Sequence, residues 1–422
     1  MTRDNNYLYH HSGPQNTLCT HGEHMISAFS LNTPPHIIFG PGKLTELEHI
    51  IGRFGSHPLL VLGSHSFLQT EHYQLVQRIF SKLGCKNETV HIGSEPSPAM
   101  IDAIVAKLTG RGIDLVIAIG GGSTLDSGKA ISAMLVEKKE VVRFLEGVGD
   151  RTPSGRKIPF IAIPTTSGTG SEATSNAVLS SVGREGFKCS LRHDNYIPNL
   201  ALVDPRLTLS CPPKLTVACS MDCFTQLVEG YLSTNSSSLS EALALEGIRA
   251  VRRSLRVVCS DGTDLPARTD LSYGALLSGI VLSNSGLGTV HGFASVIGGF
   301  FAIPHGIICG TLMAPANALT LKNLQMKSAD HPALAKYANL GRIFSDQPRK
   351  TDAWYQDHFI YELQSLAIEL NMPNLSEFGV TTGDIEKIVA KTGNKYNPAQ
   401  LSKVELTDIL LSRISTHCPD NK

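Results

Sequence analysis

One segment of this 422-residue chain restricts its fold more than any other: Asp114–Gly120 (DLVIAIG), a nearly continuous apolar run that ends at glycine. A short apolar run without polar alternation is typical of a parallel strand covered on both faces. Similar runs occupy Pro58–Gly63 and Ile158–Pro164. Helical patterns lie between these runs, at about residues 69–84, 99–108 and 124–135. This alternation of strands and helices predicts a doubly wound α/β domain.

The pattern changes near Asp204 and Pro205, and beyond Pro213 few strand-like runs remain. Helical periodicity instead predicts helices at about 214–232, 238–256, 268–285, 290–301, 305–320, 331–344, 353–370, 383–392 and 405–414. We therefore expect the α/β domain over 34–205 and an all-helical domain over 206–422. Residues 1–33 are polar and rich in His, Asn and Ser, and we expect them to form a mobile extension.

Composition narrows the range of partners and of cellular settings. Acidic and basic residues balance at 37 each, which gives no reason to expect nucleic acid or an anionic membrane as partner. No apolar stretch approaches the roughly 20 residues that span a bilayer, and no secretory signal is visible. The nine cysteines include no C-x-x-C pair, which favours reduced thiols and a cytoplasmic setting.

Two loops that follow apolar strands have the composition of a phosphate site. Gly120–Ser123 (GGGS) precedes and begins a predicted helix. Because the three glycines have no side chains, a ligand can approach the free N–H groups at the helix N-terminus. Pro164–Glu172 (PTTSGTGSE) is dense in hydroxyls and glycines. Ligands of open α/β sheets bind outside the carboxyl ends of the strands, where both loops are expected. The simpler interpretation is a pair of tight strand-to-helix turns.

A second group of residues has the chemistry of metal ligands. Asp222 and Gln226 are four residues apart and therefore share one face of a predicted helix, while His291 and His305 come from two later segments. Carboxylate, amide oxygen and two imidazoles form a mixed set that suits Fe²⁺ or Zn²⁺. Singly, each histidine is more often a hydrogen-bonded core residue. The cysteines on either side of Asp222 are interpreted as small buried hydrophobic residues.

Five segments, in this order, resemble the iron-containing (group III) alcohol dehydrogenase family: Phe39–Gly42, Gly120–Lys129, Pro164–Glu172, Ala201–Pro205 and His291–Gly306. Together they extend over nearly the whole chain after residue 33. The resemblance implies the fold that this family shares with dehydroquinate synthase. In it, an α/β dinucleotide-binding domain and a helical domain enclose the active site in a cleft.

The resemblance also implies roles for individual positions. The pyrophosphate of NAD or NADP would be held by Gly120, Gly121, Gly122 and Ser123. The nicotinamide end would lie beside Asp126 and Lys129. The adenine and ribose side would be lined by Thr165, Thr166 and Thr169. Lys188 would also contact the cofactor. A divalent metal, Fe²⁺ or Zn²⁺, would be held by Asp222, Gln226, His291 and His305.

Three positions depart from the family pattern. Gln226 stands where the family usually has a histidine, and an amide oxygen is a weaker ligand than imidazole. Ser295 stands where the family often has a further histidine near the nicotinamide, a candidate proton carrier. We expect Asp126 and Ser295 at the catalytic centre. The segment 63–66 lacks the aspartate that binds the ribose hydroxyls of NAD in many members, which leaves the choice between NAD and NADP open.

The sequence therefore predicts a metal-assisted, NAD(P)-dependent alcohol dehydrogenase or aldehyde reductase acting on a small molecule. Three alternatives stay open at this stage. The first is a metal-independent oxo-acid reductase of the maleylacetate reductase type. The others are dehydroquinate-synthase-like chemistry, in which NAD returns unchanged, and a non-catalytic nucleotide-binding relative. The resemblance further implies a homodimer or larger homo-oligomer.

Overall fold

The computed structural model describes residues 26, 28–63, 65–327 and 330–414, without the side chain of His65. The predicted extension 1–33 lies largely outside these residues, as does Ser64 in the segment 63–66. The strands of the described part are β1 (His36–Phe39), β2 (Pro58–Gly63), β3 (Glu88–Ile92), β4 (Leu115–Gly120), β5 (Phe160–Pro164), β6 (Asn176–Ser181), β7 (Phe187–Arg192) and β8 (Leu200–Val203).

The α-helices of the first half are α1 (Leu47–Ile50), α2 (His65–Leu68), α3 (Glu71–Leu83), α4 (Pro98–Leu108) and α5 (Gly122–Glu137). Those of the second half are α6 (Pro213–Leu232), α7 (Ser238–Ser260), α8 (Leu265–Ser285), α9 (Thr289–Phe300), α10 (His305–Lys327), α11 (Pro332–Phe344), α12 (Asp352–Glu369), α13 (Ile385–Lys391) and α14 (Lys403–Leu411). These bounds lie close to the ones predicted from helical periodicity.

Six strands form one parallel sheet in the order β1-β8-β5-β4-β2-β3. Gly120, the last residue of β4, is aligned with Pro164, the last residue of β5. The Thr165 N–H then donates to the Gly120 carbonyl at 2.9 Å. The two glycine-rich loops therefore leave the sheet side by side, at the edge where ligands bind in open α/β folds.

Both faces of the sheet are buried, which explains the continuous apolar runs. Along β2, Leu59 and Val61 point into one hydrophobic cluster, which includes residues of α4 and α5. Leu60 and Leu62 point into another, which includes residues of α1 and α3. All four side chains are fully buried, and each such leucine or valine stabilises the fold by about 1.5–3 kcal/mol. The predicted doubly wound arrangement is therefore confirmed.

A two-stranded antiparallel hairpin, β6–β7, was not expected from the sequence. It packs on α5 and on α9, so it connects the sheet domain to the helical half. Residues of β7 alternate between faces, and Lys188, Ser190 and Arg192 share the face that borders a large cleft. The hairpin thus forms one wall of the candidate site.

The helical half is built around α6, which contacts α7, α8 and α10. From Ser220 to Leu232 every residue of α6 is buried, including the polar Asp222, Gln226 and Glu229. In the part of the chain that the structure describes, no single helix meets the length and hydropathy of a membrane span. Helices α8 and α9 meet them only jointly, with a 98° bend between them.

Candidate active site

A cleft of about 690 Å³ lies between the carboxyl edge of the sheet and the helical half. The predicted site residues that line it are Gly122, Ser123, Asp126, Thr169, Lys188, Asp222, Gln226, His291, Ser295 and His305. The predicted residues that do not line it are Gly120, Gly121, Lys129, Thr165 and Thr166. The structure therefore brings the candidate phosphate loop and the candidate metal ligands to one cavity.

The glycines of the phosphate loop pack closely against the second loop and against the first turn of α5. A Cβ atom at Gly122 would lie 2.6 Å from the Thr169 side chain, and one at Gly120 would lie 2.5 Å from the Thr124 side chain. Helix α5 begins at Gly122, and its first turn contains no acidic residue. The N–H groups of this helix end are therefore suited to an anionic ligand.

The second loop is attached to both halves of the molecule. Its Thr165 is bonded to the end of β4, as described above, whereas Gly170 rests on the backbone of α8. A Cβ atom on Gly170 would lie 2.5 Å from Gly279, and one on Gly279 would lie 2.2 Å from the Gly170 carbonyl oxygen. Gly170 also has φ of 62°, which favours glycine.

Asp126 and Lys129 lie one helical turn apart on α5, with the Lys129 Nζ 4.0 Å from Asp126 Oδ1, but only Asp126 borders the cleft. The Lys129 ammonium is completely buried and donates to four oxygens of the 171–176 segment, at 2.7–3.2 Å. Burial lowers its pKa to about 8. Asp126 borders the cleft and accepts from Ser171 Oγ and from the Val178 N–H. Burial raises the pKa of Asp126, an effect that the Lys129 charge opposes.

Lys188 and Ser295 border the cleft from the hairpin and from α9. The Lys188 ammonium lies 2.9 and 3.0 Å from the two carboxylate oxygens of Glu95, so it enters the cleft as part of an ion pair. The Ser295 hydroxyl is exposed and donates to the His291 carbonyl oxygen, one helical turn earlier, at 3.0 Å. Glu95 was not recognised in the sequence, because its contact with Lys188 joins residues far apart in the chain.

Four side chains from three helices converge at the inner end of the cleft: Asp222 of α6, His291 of α9, and His305 and Cys309 of α10. Their ligand atoms all lie within 4.8 Å of one another. Asp222 Oδ1 is 3.3 Å from His291 Nε2 and 3.7 Å from His305 Nε2. Cys309 Sγ is 3.7 Å from His291 Nε2. Three of these residues were expected from the sequence, and Cys309 was not.

Gln226, the fourth expected ligand, borders the cleft but is bonded elsewhere. Its amide oxygen lies 2.7 Å from the hydroxyl of Ser278, which is fully buried on α8. Cys309 follows His305 by one helical turn, so the two share a face of α10. This His-x-x-x-Cys spacing is the sequence signal that could have identified the cysteine.

Glu229 is a further buried residue that the sequence did not reveal. One of its oxygens lies 2.7 Å from His291 Nδ1 and 3.3 Å from the His291 backbone nitrogen. The other accepts from the Val290 N–H at 2.7 Å. A carboxylate at Nδ1 holds the proton on that nitrogen and leaves Nε2 free to bind a metal. Glu229 therefore orients both the ring of His291 and the start of α9.

Burial and neighbouring charges shift the pKa values of the clustered side chains away from their usual values. Burial lowers the pKa of His305 to about 4, so its imidazole is neutral near pH 7. Burial acts to raise the pKa of Asp222, but His305 and His291 outweigh it and hold the pKa below its usual value. Among the described residues, the buried Nδ1 atom of His305 has no hydrogen-bond partner. Burial acts to lower the pKa of His291, but Cys309, Asp222 and Glu229 outweigh it and raise that pKa well above its usual value, so a metal ion bound at Nε2 would displace a proton.

The fold and the site together define a class of protein, the metal-assisted oxidoreductases that use a dinucleotide. Comparison with known proteins gives the family. Residues 34–205 match the family described as "Iron-containing alcohol dehydrogenase", and residues 216–414 match "Fe-containing alcohol dehydrogenase family, C-terminal". The chain therefore belongs to the iron-containing alcohol dehydrogenase family. It is an oxidoreductase that acts on CH–OH groups, in a family that uses NAD(P) and a metal.

Relatives support this assignment over most of the chain. "Long-chain-alcohol dehydrogenase 1" of Geobacillus thermodenitrificans is 38% identical over 65% of this chain and 69% of its own length. "Alcohol dehydrogenase 4" of Saccharomyces cerevisiae is 30% identical over 92% of this chain and 98% of its own length. An alcohol dehydrogenase structure from Oenococcus oeni has a TM-score of 0.80 at 26% identity, and covers 92% of this chain and 100% of its own.

Proposed function

We propose that the enzyme interconverts a primary aliphatic alcohol and its aldehyde at the inner end of the cleft. The observation that carries this proposal is the shared cavity. The N-terminus of α5 and the Asp222, His291 and His305 side chains all border it. In the oxidative direction the alcohol loses a hydride to nicotinamide C4 and a proton to solvent, which yields carbonyl and NAD(P)H.

Each half of the site has its own task in this proposal. The N–H groups of Gly122 and Ser123 bind the pyrophosphate, and Thr169 lies beside them. Asp222, His291 and His305 would hold the metal ion, and a metal bound there would supply Lewis acidity to the substrate oxygen. Nicotinamide carries the hydride, so the protein contributes position and electric field. The exposed Ser295 hydroxyl and water form the proposed proton path.

The remaining predicted cofactor residues act in this proposal through the loops. Gly120, Gly121, Thr165 and Thr166 shape the two turns, and Lys129 holds the segment 171–176 against α5. Lys188, held by Glu95, contacts the cofactor from the hairpin side. Because segment 63–66 offers no carboxylate to repel a 2′-phosphate, we propose that NADP is accepted as well as NAD.

The substrate class is proposed from the relatives. Those named above are described as dehydrogenases of alcohols, including a long-chain one, and a relative from Clostridium saccharobutylicum as an "NADPH-dependent butanol dehydrogenase" (28% identical, 89% of this chain, 95% of its own). The test measures nicotinamide reduction with 1-butanol, 1,3-propanediol and 1-dodecanol, using NAD⁺ and NADP⁺ separately. Asp222→Asn serves as the inactive control.

Metal is varied in the same assay by chelation and add-back of Zn²⁺ or Fe²⁺. Activity that returns with metal supports the proposal. Full activity in metal-free protein would instead favour the metal-independent oxo-acid reductase, to be checked with maleylacetate. Absence of turnover with every alcohol and aldehyde, despite cofactor binding, would favour a non-catalytic relative.

We also propose a cytoplasmic setting and a homodimeric or larger assembly. The first is supported by the cysteines, because all seven in the described residues are free thiols. The second is supported by the resemblance to a family whose members are commonly dimers or larger. Light scattering coupled to size exclusion measures the assembly, and a monomer at micromolar concentration would contradict it.

A further inference from the structure

We propose that Cys309, and not Gln226, supplies the fourth protein ligand of the metal centre, and that this donor set favours zinc over iron. The inference deepens the proposed function, since it concerns the metal of the same site. On binding, the thiol loses its proton to solvent and a sulfur–metal bond forms.

The separations within the cluster carry the inference. A tetrahedral zinc ion has bonds of about 2.0–2.3 Å, so neighbouring ligand atoms lie about 3.3–3.8 Å apart. The measured separations are 3.3 Å for Asp222 Oδ1 to His291 Nε2, 3.7 Å for Asp222 Oδ1 to His305 Nε2, and 3.7 Å for Cys309 Sγ to His291 Nε2. Three edges of a tetrahedron that includes the sulfur are thus already at ligand spacing.

The amide oxygen of Gln226 already has a hydrogen-bond partner outside the cluster. Its oxygen is bonded to Ser278 at 2.7 Å, inside the contact between α6 and α8. A neutral amide oxygen is also the weakest donor available in this cluster, whereas thiolate is a strong ligand for zinc. The cysteine thus replaces a ligand that the sequence had assigned to α6 by one on α10.

The position of Cys309 also leaves room for substrate. Its side chain is fully buried and is absent from the cleft wall, whereas Asp222, His291 and His305 border the cleft. The sulfur therefore lies on the closed side of the cluster. A substrate oxygen arriving from the cleft would approach the opposite side and add to the four protein ligands as a fifth, an expansion known for catalytic zinc sites.

The charge of the donor set supports the choice of metal. One carboxylate and one thiolate balance a divalent ion, and a mononuclear tetrahedral set of thiolate and imidazole ligands is typical of zinc. Burial raises the pKa of the Cys309 thiol to about 11, although His291 opposes the effect. A metal ion at this spacing lowers that pKa by direct coordination.

The test uses the full chain, stripped of metal and reloaded with Co²⁺. A cobalt–thiolate centre shows an intense charge-transfer absorption in the near ultraviolet. We expect this band in the parent and in Gln226→Ala, and its loss in Cys309→Ser. The matched control is Cys223→Ala, another fully buried cysteine, on α6, which should retain the band. Zinc affinity, measured by chelator competition, should fall at least roughly 100-fold in Cys309→Ser, beyond the effect of losing an outer contact.

A second measurement needs no variant. X-ray absorption of the zinc-loaded parent should contain one sulfur at about 2.3 Å. A zinc shell of nitrogen and oxygen alone would overturn the inference, as would an intact cobalt band in Cys309→Ser. Alcohol oxidation measured on the same samples separates the two proposals. An active enzyme without a sulfur ligand refutes only the inference, whereas a sulfur-ligated but inactive enzyme refutes the proposed function.

Discussion

Replacing Glu229 by glutamine tests whether the buried carboxylate sets the metal affinity of His291. The change keeps the size of the side chain but exchanges one oxygen for an NH₂ group. All three neighbours of the carboxylate are nitrogens: the backbone N–H groups of Val290 and His291, and His291 Nδ1. A carboxamide has only one accepting oxygen, whereas each oxygen of Glu229 accepts from a backbone N–H. Each of the two orientations of the glutamine therefore loses at least one hydrogen bond.

Either orientation has a calculable cost. If the NH₂ group faces Val290, one buried N–H loses its acceptor, which costs about 1–3 kcal/mol. If the NH₂ group faces His291, the backbone N–H of His291 loses its acceptor. The NH₂ group also donates to Nδ1, which moves the ring proton to Nε2, the nitrogen that faces Asp222. Loss of such an outer contact lowers metal affinity about 10–100-fold. That range corresponds to about 1.4–2.8 kcal/mol of binding free energy.

The assay is a competition between the protein and a chromophoric chelator for Zn²⁺, with thermal unfolding of the same samples. Glu241→Gln is the control, because Glu241 pairs with Lys336 at a half-exposed position away from the cleft. We expect weaker zinc binding in Glu229→Gln only. Zinc affinities of the two variants that agree within about twofold would refute the reasoning, since the outer contact would then contribute nothing measurable.

Three further predictions follow from the geometry. Asp222→Asn removes the charge at the centre of the cluster and should lower zinc affinity and kcat by roughly 100-fold or more, while circular dichroism stays unchanged. Gly122→Ala forces a Cβ against Thr169, so the Kd for NADP⁺ by fluorescence titration should rise about tenfold, an effect of about 1.4 kcal/mol; Gly93→Ala, with no atom within 4 Å, should leave it unchanged. Lys129→Met leaves buried acceptors of segment 171–176 unpaired and should lower the free energy of unfolding in urea by about 3 kcal/mol. An unchanged unfolding midpoint would show that the lysine does not hold the segment.

The sheet domain was predictable because its strands are buried on both faces. An apolar run such as Leu115–Gly120 has few alternatives to a central parallel strand. Helix α3 is also predictable, because capping residues stand at both of its ends. Its Thr70 cap accepts from the Tyr73 N–H, and Gly84 has φ of 62°. The hairpin β6–β7 was not predictable in this way. Most residues of β7 are half-buried, so the strand has no continuous apolar run. Its place in the fold depends on packing of the hairpin against α5 and α9, and such tertiary contacts leave no local pattern in the sequence.

Residue types and helical spacing predicted part of the site, but they could not predict contacts between residues far apart in the chain. Spacing placed Asp222 and Gln226 on one face, but it could not show that the Gln226 oxygen is bonded to Ser278. The partner of His291 is a carboxylate 62 positions away in the chain, so no local pattern identifies it. Cys309 was accessible through its spacing from His305, yet a lone cysteine in an apolar helix is more often a packing residue.

The contact between Gly170 and α8 has a mechanical consequence. The second loop is bonded to the sheet at Thr165 and contacts the helical half from Ser167, whose hydroxyl lies 2.9 Å from that of Ser272 on α8, to Gly170. A rigid-body widening of the cleft therefore strains this short loop, which carries Thr169 on the cleft wall. A ligand that orders the loop also restricts the width of the cleft. By linkage, a substrate that narrows the cleft must tighten the binding of that ligand by the same factor.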